Sequence, residues 1–168
     1  KIGSYVLVIG KTLGHLHQSE FFREVMNFKE GPPPEVNLFN EKNNGLIIKD
    51  LISKKFLNSV HDVSSGGILV ALSEMCISGN IGIKIKIPID NISSHEYLFG
   101  EDQSRYLIEI NEKNKNKVGN ILDKNGIYYE LIGRTQKDSL DLDEEFSIKI
   151  SDLNELNTSW FKNYFMED

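Results

Sequence analysis

Residues 61–79, with the sequence HDVSSGGILVALSEMCISG, connect a short strand to an amphipathic helix through two serines and two glycines. Counted from Ile68, the apolar residues Ala71, Leu72 and Met75 lie at offsets of three, four and seven, which places all four on one helical face. Gly79 is placed to end this helix by adopting a left-handed conformation. With the preceding segment NSVHDV, the stretch predicts a strand–turn–helix unit.

The turn before this helix has two interpretations. Asp62, Ser64 and Ser65 can cap the helix, while Gly66 and Gly67 keep the turn free of side chains. Bare backbone N–H groups at a helix N-terminus also attract phosphate, through hydrogen bonds and the helix dipole. The pattern fits a simple cap and a phosphate site, so the residues alone leave both open.

Apolar patterning on either side predicts further strands and helices. SYVLVIG is typical of a buried strand, and the alternation in IGIKIKI predicts a half-exposed one. Helical spacing recurs in SEFFREVMNF, EKNNGLIIKDLISKKFL, NEKNKNKVGNILDKNG and SDLNELNTSWFKNYF, and the other strands are RYLIEI, YYELIG and FSIKI. In the last helix, Leu153, Leu156, Trp160 and Tyr164 are expected to face inward. Because strands and helices mix without strict alternation, the predicted class is α+β, a mixed β-sheet covered by helices.

Length and charge restrict the function classes. A chain of 168 residues suits one domain, and its net charge of −6 argues against a nucleic-acid partner, since phosphate backbones require basic patches. No apolar run reaches the roughly 18 residues that a membrane-spanning helix needs. Cys76 is the only cysteine, so a multi-cysteine metal site is excluded and a reducing, cytoplasmic setting fits best. We expect no membrane partner.

Two short motifs do not carry the chemistry that they suggest. GKT at residues 10–12 ends like a P-loop, but Tyr5 stands where a P-loop needs glycine. His15 and His17 share the spacing of metal ligands on a strand, but a zinc site needs three or four ligands and no third Cys or His is nearby. We therefore predict solvated loop histidines and no metal site.

Two other positions remain candidates. Ser19 begins a predicted helix, whose unpaired N–H groups attract anions. In LFGEDQSRYLIEI, the residues Glu101, Asp102, Gln103 and Arg105 surround the start of a strand. Such a cluster can hold Mg²⁺ or act as acid and base, and it can equally be a solvated turn with an internal ion pair. No partner for a general base is visible, so no catalytic residue is assigned.

Taken together, these segments resemble the large, PurL-type subunit of phosphoribosylformylglycinamidine synthase. HDVSSGGILVALSEMCISGNIG resembles the family's D-V-S-D-G-G-L-x-V-A-L-A-E-M segment, LFGEDQSRYLIEI its F-G-E-x-Q-x-R segment, and GHLHQSEFFREV its G-x-L-G-x-S stretch. EGPPPEVNLFNEKNNGLI and SWFKNYFM also match in order, so the resemblance covers nearly the whole chain. It implies an aminoimidazole ribonucleotide synthetase C-terminal-domain-like fold, in the last of that family's four domains.

The resemblance implies an activity for a longer protein. The family converts formylglycinamide ribonucleotide into its amidine in purine biosynthesis, using ATP, Mg²⁺ and ammonia derived from glutamine. We therefore expect residues 1–168 to be a single domain, the C-terminal fragment of a multidomain carbon–nitrogen ligase, inactive and without a cofactor when alone. The implied partners are the N-terminal domains of the same chain, a glutaminase subunit, a small accessory subunit and the ribonucleotide.

The resemblance also raises the expectation of a phosphate-facing surface at the glycine turn. Two departures weaken this implication, because His17 and Ser65 stand where the family has glycine and aspartate. A serine at position 65 still caps a helix but carries no charge. The expected phosphate contacts are Ser19, Asp62, Ser64, Ser65, Gly66 and Gly67, with Glu101, Gln103 and Arg105 as supporting residues.

Two alternatives stay open. The chain can belong to a related enzyme, such as aminoimidazole ribonucleotide synthetase, selenophosphate synthetase or the hydrogenase-maturation dehydratase. It can also be a non-catalytic regulatory or scaffold module. The FGEDQSR and GPPPEV segments favour the synthase over the related enzymes, and the extent of the resemblance disfavours the module.

Overall fold

The computed structural model describes residues 1–88, 92–143 and 145–166, which form five α-helices and a seven-stranded sheet. The strands are β1 (Tyr5–Ile9), β2 (Leu57–Asp62), β3 (Gly82–Ile85), β4 (Tyr106–Ile110), β5 (Tyr129–Gln136), β6 (Ser139–Leu142) and β7 (Phe146–Lys149). The helices are α1 (Leu38–Ser53), α2 (Gly67–Gly79), α3 (Ser94–Phe99), α4 (Glu112–Lys124) and α5 (Ile150–Met166), and a π-helical turn spans Phe21–Val25.

The sheet is mixed, with the strand order β2-β4-β1-β5-β3-β6-β7. β3 and β6 run parallel, and the other paired strands run antiparallel. The predicted α+β class and mixed sheet are confirmed. β1 lies inside the sheet between β4 and β5, and all five of its residues are buried, as its uninterrupted apolar run predicts.

Helices cover both faces of the sheet, because each face presents an apolar layer. On one face, Val6 and Val8 pack with Ile68 and Leu72 of α2 and with Leu98 of α3. On the other face, Tyr5, Leu7 and Ile9 pack with buried residues of α1 and α4. None of the helices in the described residues is long and apolar enough to cross a membrane.

Helix positions differ from the sequence expectations in three places. The helix predicted for SEFFREVMNF is a single π-helical turn, with Val25 and Met26 exposed. The left-handed residue that ends α2 is Asn80 and not Gly79, because asparagine also tolerates a positive φ and its N–H bonds the last carbonyls of the helix. α3 and β6 were not predicted, since both are too short to show a clear period.

The inward face predicted for α5 is wrong beyond its first turns. Ile150 is buried and Leu153 packs against the core, but Leu156, Trp160 and Tyr164 are 66%, 63% and 73% exposed. Their helical spacing correctly places them on a helix. Their burial would need a neighbouring element at the far end of α5, and spacing along one helix does not report on that.

Candidate functional site

The acidic segment before β4 joins two distant turns of the chain. The carboxylate of Asp102 accepts hydrogen bonds from the backbone N–H groups of Leu13 and Gly14, at 2.9 Å each, and of His15, at 3.3 Å. Asp102 is buried, so these bonds replace the water that its charge loses. The consecutive amides of residues 13–15 thus form a small anion-binding concavity that the protein's own carboxylate fills.

Glu101 makes the second connection. Its Oε1 accepts hydrogen bonds from the backbone N–H groups of Glu20 and Gly66, both at 2.8 Å, while its own N–H donates to the carbonyl of His15 at 2.9 Å. One carboxylate therefore binds the start of the π-helical turn and the glycine turn before α2. The three segments singled out from the sequence converge at this point.

Arg105 holds the acidic segment through hydrogen bonds to its backbone carbonyls. It is only 2% exposed, and its Nε and Nη2 donate to the carbonyls of Asp102 and Gly100 at 3.0 and 2.5 Å. Nη1 donates to Thr12 Oγ1 at 3.2 Å and lies 3.9 Å from Asp102 Oδ2. Burial lowers the pKa of Arg105, against the opposing effect of Asp102, but a guanidinium remains charged in proteins. Arg105 thus binds the backbone of the acidic segment and Thr12, and its supporting role in phosphate binding stays a prediction.

The glycine turn starts α2 without help from its own serines. Among the described residues, no side chain of this turn caps the helix, and the N-cap position is Gly66 in a left-handed conformation. The N–H of Gly67 donates to the carbonyl of Ser64 at 3.1 Å, while that of Gly66 is bound by Glu101. The prediction that Asp62, Ser64 and Ser65 cap α2 is therefore wrong, because the carboxylate of Glu101, from another segment, binds the turn at the start of the helix.

Gly67 is required at this turn for a second reason. Its φ is +72°, and a Cβ there would lie 2.6 Å from the carbonyl oxygen of Leu98 at the end of α3. The absence of a side chain lets α2 and α3 approach each other at their ends. The glycine predicted as a phosphate contact thus serves close helix packing.

The other predicted site residues lie around the junction in different settings. Ser19 is fully buried, donating to the carbonyl of Leu16 at 2.5 Å and accepting from the N–H of Phe22 at 3.2 Å. Ser64 and Ser65 are exposed on the turn, and Asp62 is exposed at the end of β2. Gln103 is exposed and donates to the carbonyl of Glu101 at 3.5 Å. Ser19 is consequently a local cap, while the two turn serines lie at the surface.

A cleft of about 520 Å³ opens beside this junction. Asp102 lies in its wall, and its other polar lining includes Lys11, His15, His17, Asn37, Asn40 and Gln103. His15 contacts the carbonyl of Pro32 through Nε2 at 2.9 Å, which places the triple-proline loop at the rim. Sequence reasoning missed the asparagines, although Asn37, Asn40 and Asn44 recur at the spacing of one helical face.

The junction does not fit a magnesium ion. Within residues 1–88, 92–143 and 145–166, no group of three or more His, Cys, Asp or Glu side chains is placed to hold a metal. Oxygens of both Glu101 and Asp102 accept backbone N–H groups, so these carboxylates serve as internal anions. Their role at this junction is to hold backbone segments together.

Comparison with known proteins identifies relatives of this chain. Residues 1–143 match the family described as "AIR synthase related protein, C-terminal domain". The chain is 50% identical over 159 residues, or 95% of its length, to phosphoribosylformylglycinamidine synthase subunit PurL of Pelagibacter ubique. It is 40% identical over 162 residues to the PurL subunit of Rhodopseudomonas palustris strain HaA2. In both cases it spans 22% of the relative's length.

Solved structures show the same fold. The PurL of T. maritima complexed with FGAR superposes with a TM-score of 0.73 at 16% identity, over 92% of this chain and 28% of that one. The ATP complex of the same protein gives a TM-score of 0.69 at 15% identity, over 92% of this chain and 26% of that one. At this identity the likeness establishes the fold, and the expected C-terminal-domain-like architecture is confirmed.

Proposed function

The chain belongs to the family of the C-terminal domain of AIR synthase related proteins, and on this premise we propose that it acts as such a domain in a PurL-type phosphoribosylformylglycinamidine synthase. The proposed reaction is the ATP-dependent conversion of formylglycinamide ribonucleotide to its amidine in purine biosynthesis. The observation that carries the proposal is the 50% identity with the Pelagibacter ubique PurL over 95% of the chain.

The proposed role of this domain within the enzyme is positional. Glu101 and Asp102 fix the segment of residues 13–20 and the start of α2 against each other, and Arg105 holds the acidic segment in place. Such a junction supports a rigid wall beside the cleft. Because no general base is assigned, we expect the isolated domain to be inactive.

Direct phosphate contact is a finer part of the proposal. The amides of Gly66 and Gly67 already bind Glu101 and the carbonyl of Ser64, so they are not bare donors. The exposed hydroxyls of Ser64 and Ser65 are the donors that a phosphate can reach without displacing a carboxylate. Of the predicted set, these two are therefore the favoured contacts, and Ser19, Asp62, Gly66 and Gly67 shape their surroundings.

Cofactors and partners belong to the whole enzyme in this proposal. ATP use is supported by the ATP complex of the T. maritima PurL, and we propose that Mg²⁺ binds on N-terminal-type domains. We further propose that residues 1–168 are one domain and pack against those domains, and that a glutaminase subunit and a small accessory subunit supply ammonia. A cytoplasmic location fits this pathway.

A chimeric enzyme tests the proposed function. The matching 22% of the Pelagibacter ubique PurL is replaced by this chain, and amidine formation from formylglycinamide ribonucleotide is measured with ATP and ammonium. We expect kcat/KM within about tenfold of the unaltered enzyme. A chimera that is folded and inactive would contradict the assignment.

A titration tests the phosphate contacts separately. The ¹⁵N-labelled chain receives formylglycinamide ribonucleotide or ADP, and amide shifts are followed from Ser64 to Gly67. Shifts that vanish in Ser64→Ala support contact at the turn, with Ser147→Ala as a control on a distant hydroxyl. If millimolar ribonucleotide leaves these amides unmoved, the turn serves only to pack and start α2.

A further inference from the structure

The second half of α5 carries a cluster of exposed aromatic side chains. Trp160, Phe161, Tyr164 and Phe165 are 63%, 54%, 73% and 65% exposed. Their rings contact one another in series, with centroids 5.7 Å apart from Trp160 to Phe161, 4.6 Å from Phe161 to Phe165 and 5.2 Å from Phe165 to Tyr164. The four rings therefore form one contiguous surface, which we call the α5 aromatic surface.

This surface continues a face of α5 that already packs on the domain. Leu153 packs against the core, and Trp160 and Tyr164 follow it at offsets of seven and eleven, which is the repeat of one helical face. The opposite side of this half carries the polar residues Glu155 and Thr158. The same face is thus packed at the start of the helix and open to solvent at its aromatic end.

Comparison with relatives places α5 outside the part that the domain family shares. The match to the C-terminal domain of AIR synthase related proteins ends at residue 143, before α5 begins at Ile150. The PurL subunit of Bartonella tribocorum, in contrast, is 32% identical over 166 residues, or 99% of this chain, and that span reaches into the aromatic half of α5. The chain spans 22% of that relative's length. A PurL-type chain therefore contains both α5 and a large further part that can cover it.

The size of the surface distinguishes between possible occupants. A buried aromatic side chain contributes about 150–250 Å², so the four rings at their exposures offer about 500 Å². A stable complex between separate chains buries roughly 800 Å² on each partner, which is more than this surface provides alone. Contacts between domains of one chain bury about 600–1,500 Å² in total, which two facing surfaces of this size reach. A linker also raises the effective concentration of the partner to about millimolar, so the surface suits a tethered partner.

We propose that the α5 aromatic surface docks against another domain of the same PurL-type chain, one of those that precede this domain in the proposed enzyme. The inference rests on the proposed function, because only a longer PurL-type chain supplies that partner. The partner's matching surface is apolar, because polar groups buried under these rings would lose their hydrogen bonds to water. Tryptophan and tyrosine are enriched at the centres of interfaces, where they carry much of the binding energy.

Side-chain footprinting on the chimeric enzyme tests the docking surface. Hydroxyl-radical oxidation of Trp160 and Tyr164 is measured by mass spectrometry in the isolated chain, in the chimera and in the chimera unfolded in urea. We expect oxidation at both residues to be at least about fivefold slower in the folded chimera than in the isolated chain, where these rings are exposed. The unfolded chimera gives the reference rate for full access.

The activity of the chimera separates this inference from the proposed function. Equal oxidation rates in the isolated chain and in an active chimera would overturn the docking surface and leave the function standing. A folded but inactive chimera would contradict the function, and this inference with it. Protection that grows in the isolated chain between about 1 and about 100 µM would assign the surface to a second copy and would also overturn the proposal.

Two charge substitutions on the same helix give a matched comparison. Trp160→Glu places a carboxylate in the surface, and Thr158→Glu places one on the opposite side of α5. In the chimera, we expect Trp160→Glu to raise the oxidation rate of Tyr164 at least about fivefold, because burying an unpaired charge is costly. Thr158→Glu should leave that rate within about twofold. Equal effects of the two variants would contradict docking through the aromatic surface.

Discussion

The glycines that start α2 show how one residue fixes an element's position. Gly66 and Gly67 have φ values of +80° and +72°, a region that side chains with a Cβ rarely adopt. At Gly67 the space is also closed, because the backbone at the end of α3 lies against it. Backbone strain and steric contact therefore act together at this residue.

Gly67→Ala should consequently destabilise the chain more than a strain effect alone. We expect the free energy of unfolding to fall by about 2 kcal/mol or more. Gly126→Ala is the matched control, because Gly126 has φ +65° and a Cβ added there would meet nothing within 4 Å, and its expected loss is about 1 kcal/mol. Urea unfolding measures both, and equal losses would show that contact with α3 adds nothing.

Cys76 illustrates burial at the same scale. It is buried on the inward face of α2, and desolvation raises the pKa of its thiol to about 12. Because the thiolate is the reactive form, we expect negligible reaction with an aromatic disulfide reagent at about pH 8 in the folded chain. Complete reaction is expected in urea, which serves as the control. Equal rates in both conditions would contradict the burial of this residue.

At the scale of elements, α5 behaves as two halves. Ile150 and Leu153 pack against the core, whereas the second half carries exposed Trp160, Phe161 and Phe165. Aromatic contacts link Trp160 to Phe161 and Phe161 to Phe165 along the helix itself. These exposed rings therefore contact one another within the second half of α5.

Trp160 reports this exposure directly, because it is the only tryptophan. Because Trp160 is 63% exposed, we expect acrylamide to quench its fluorescence almost as strongly in the folded chain as in urea. Tryptophan emission should also shift little on unfolding. Strong protection in the folded state would instead place Trp160 in an interface.

At the scale of the whole molecule, the carboxylate of Glu109 in β4 accepts hydrogen bonds from the side chains of Asn58 and Ser59 in β2. Its pKa is lowered in the folded state, so its ionised form favours folding. That stabilisation is fully present above the ordinary glutamate pKa of about 4.3 and is lost as the pH falls through the lower folded value.

Glu109→Gln should therefore change the acid side of the stability curve. We expect wild type to exceed the variant in free energy of unfolding at about pH 7, and the difference to shrink below about pH 4. Urea unfolding across this range, down to about pH 3, measures the difference, with Glu155→Gln as the control that follows wild type. A difference that stays constant across this range would contradict the role of the charge.

The sequence by itself determined the α+β class, the burial of β1 and the strand–turn–helix unit around α2. These features depend on local periodicity and on glycines, which short segments encode. The motifs also indicated which segments matter, since GHLHQS, SSGG and GEDQSR meet in the structure.

Only the tertiary structure decided what those residues do. The amide of Gly66 was predicted to bind phosphate, but it donates to Glu101, which is far away in sequence. The amides of residues 13–15 donate to Asp102 in the same way. The parallel pairing of β3 with β6 and the exposure of Trp160 are likewise invisible in local patterns. The physical reason is that hydrogen-bond partners and burial are set by contacts between distant segments, whereas periodicity reports only the faces of one segment.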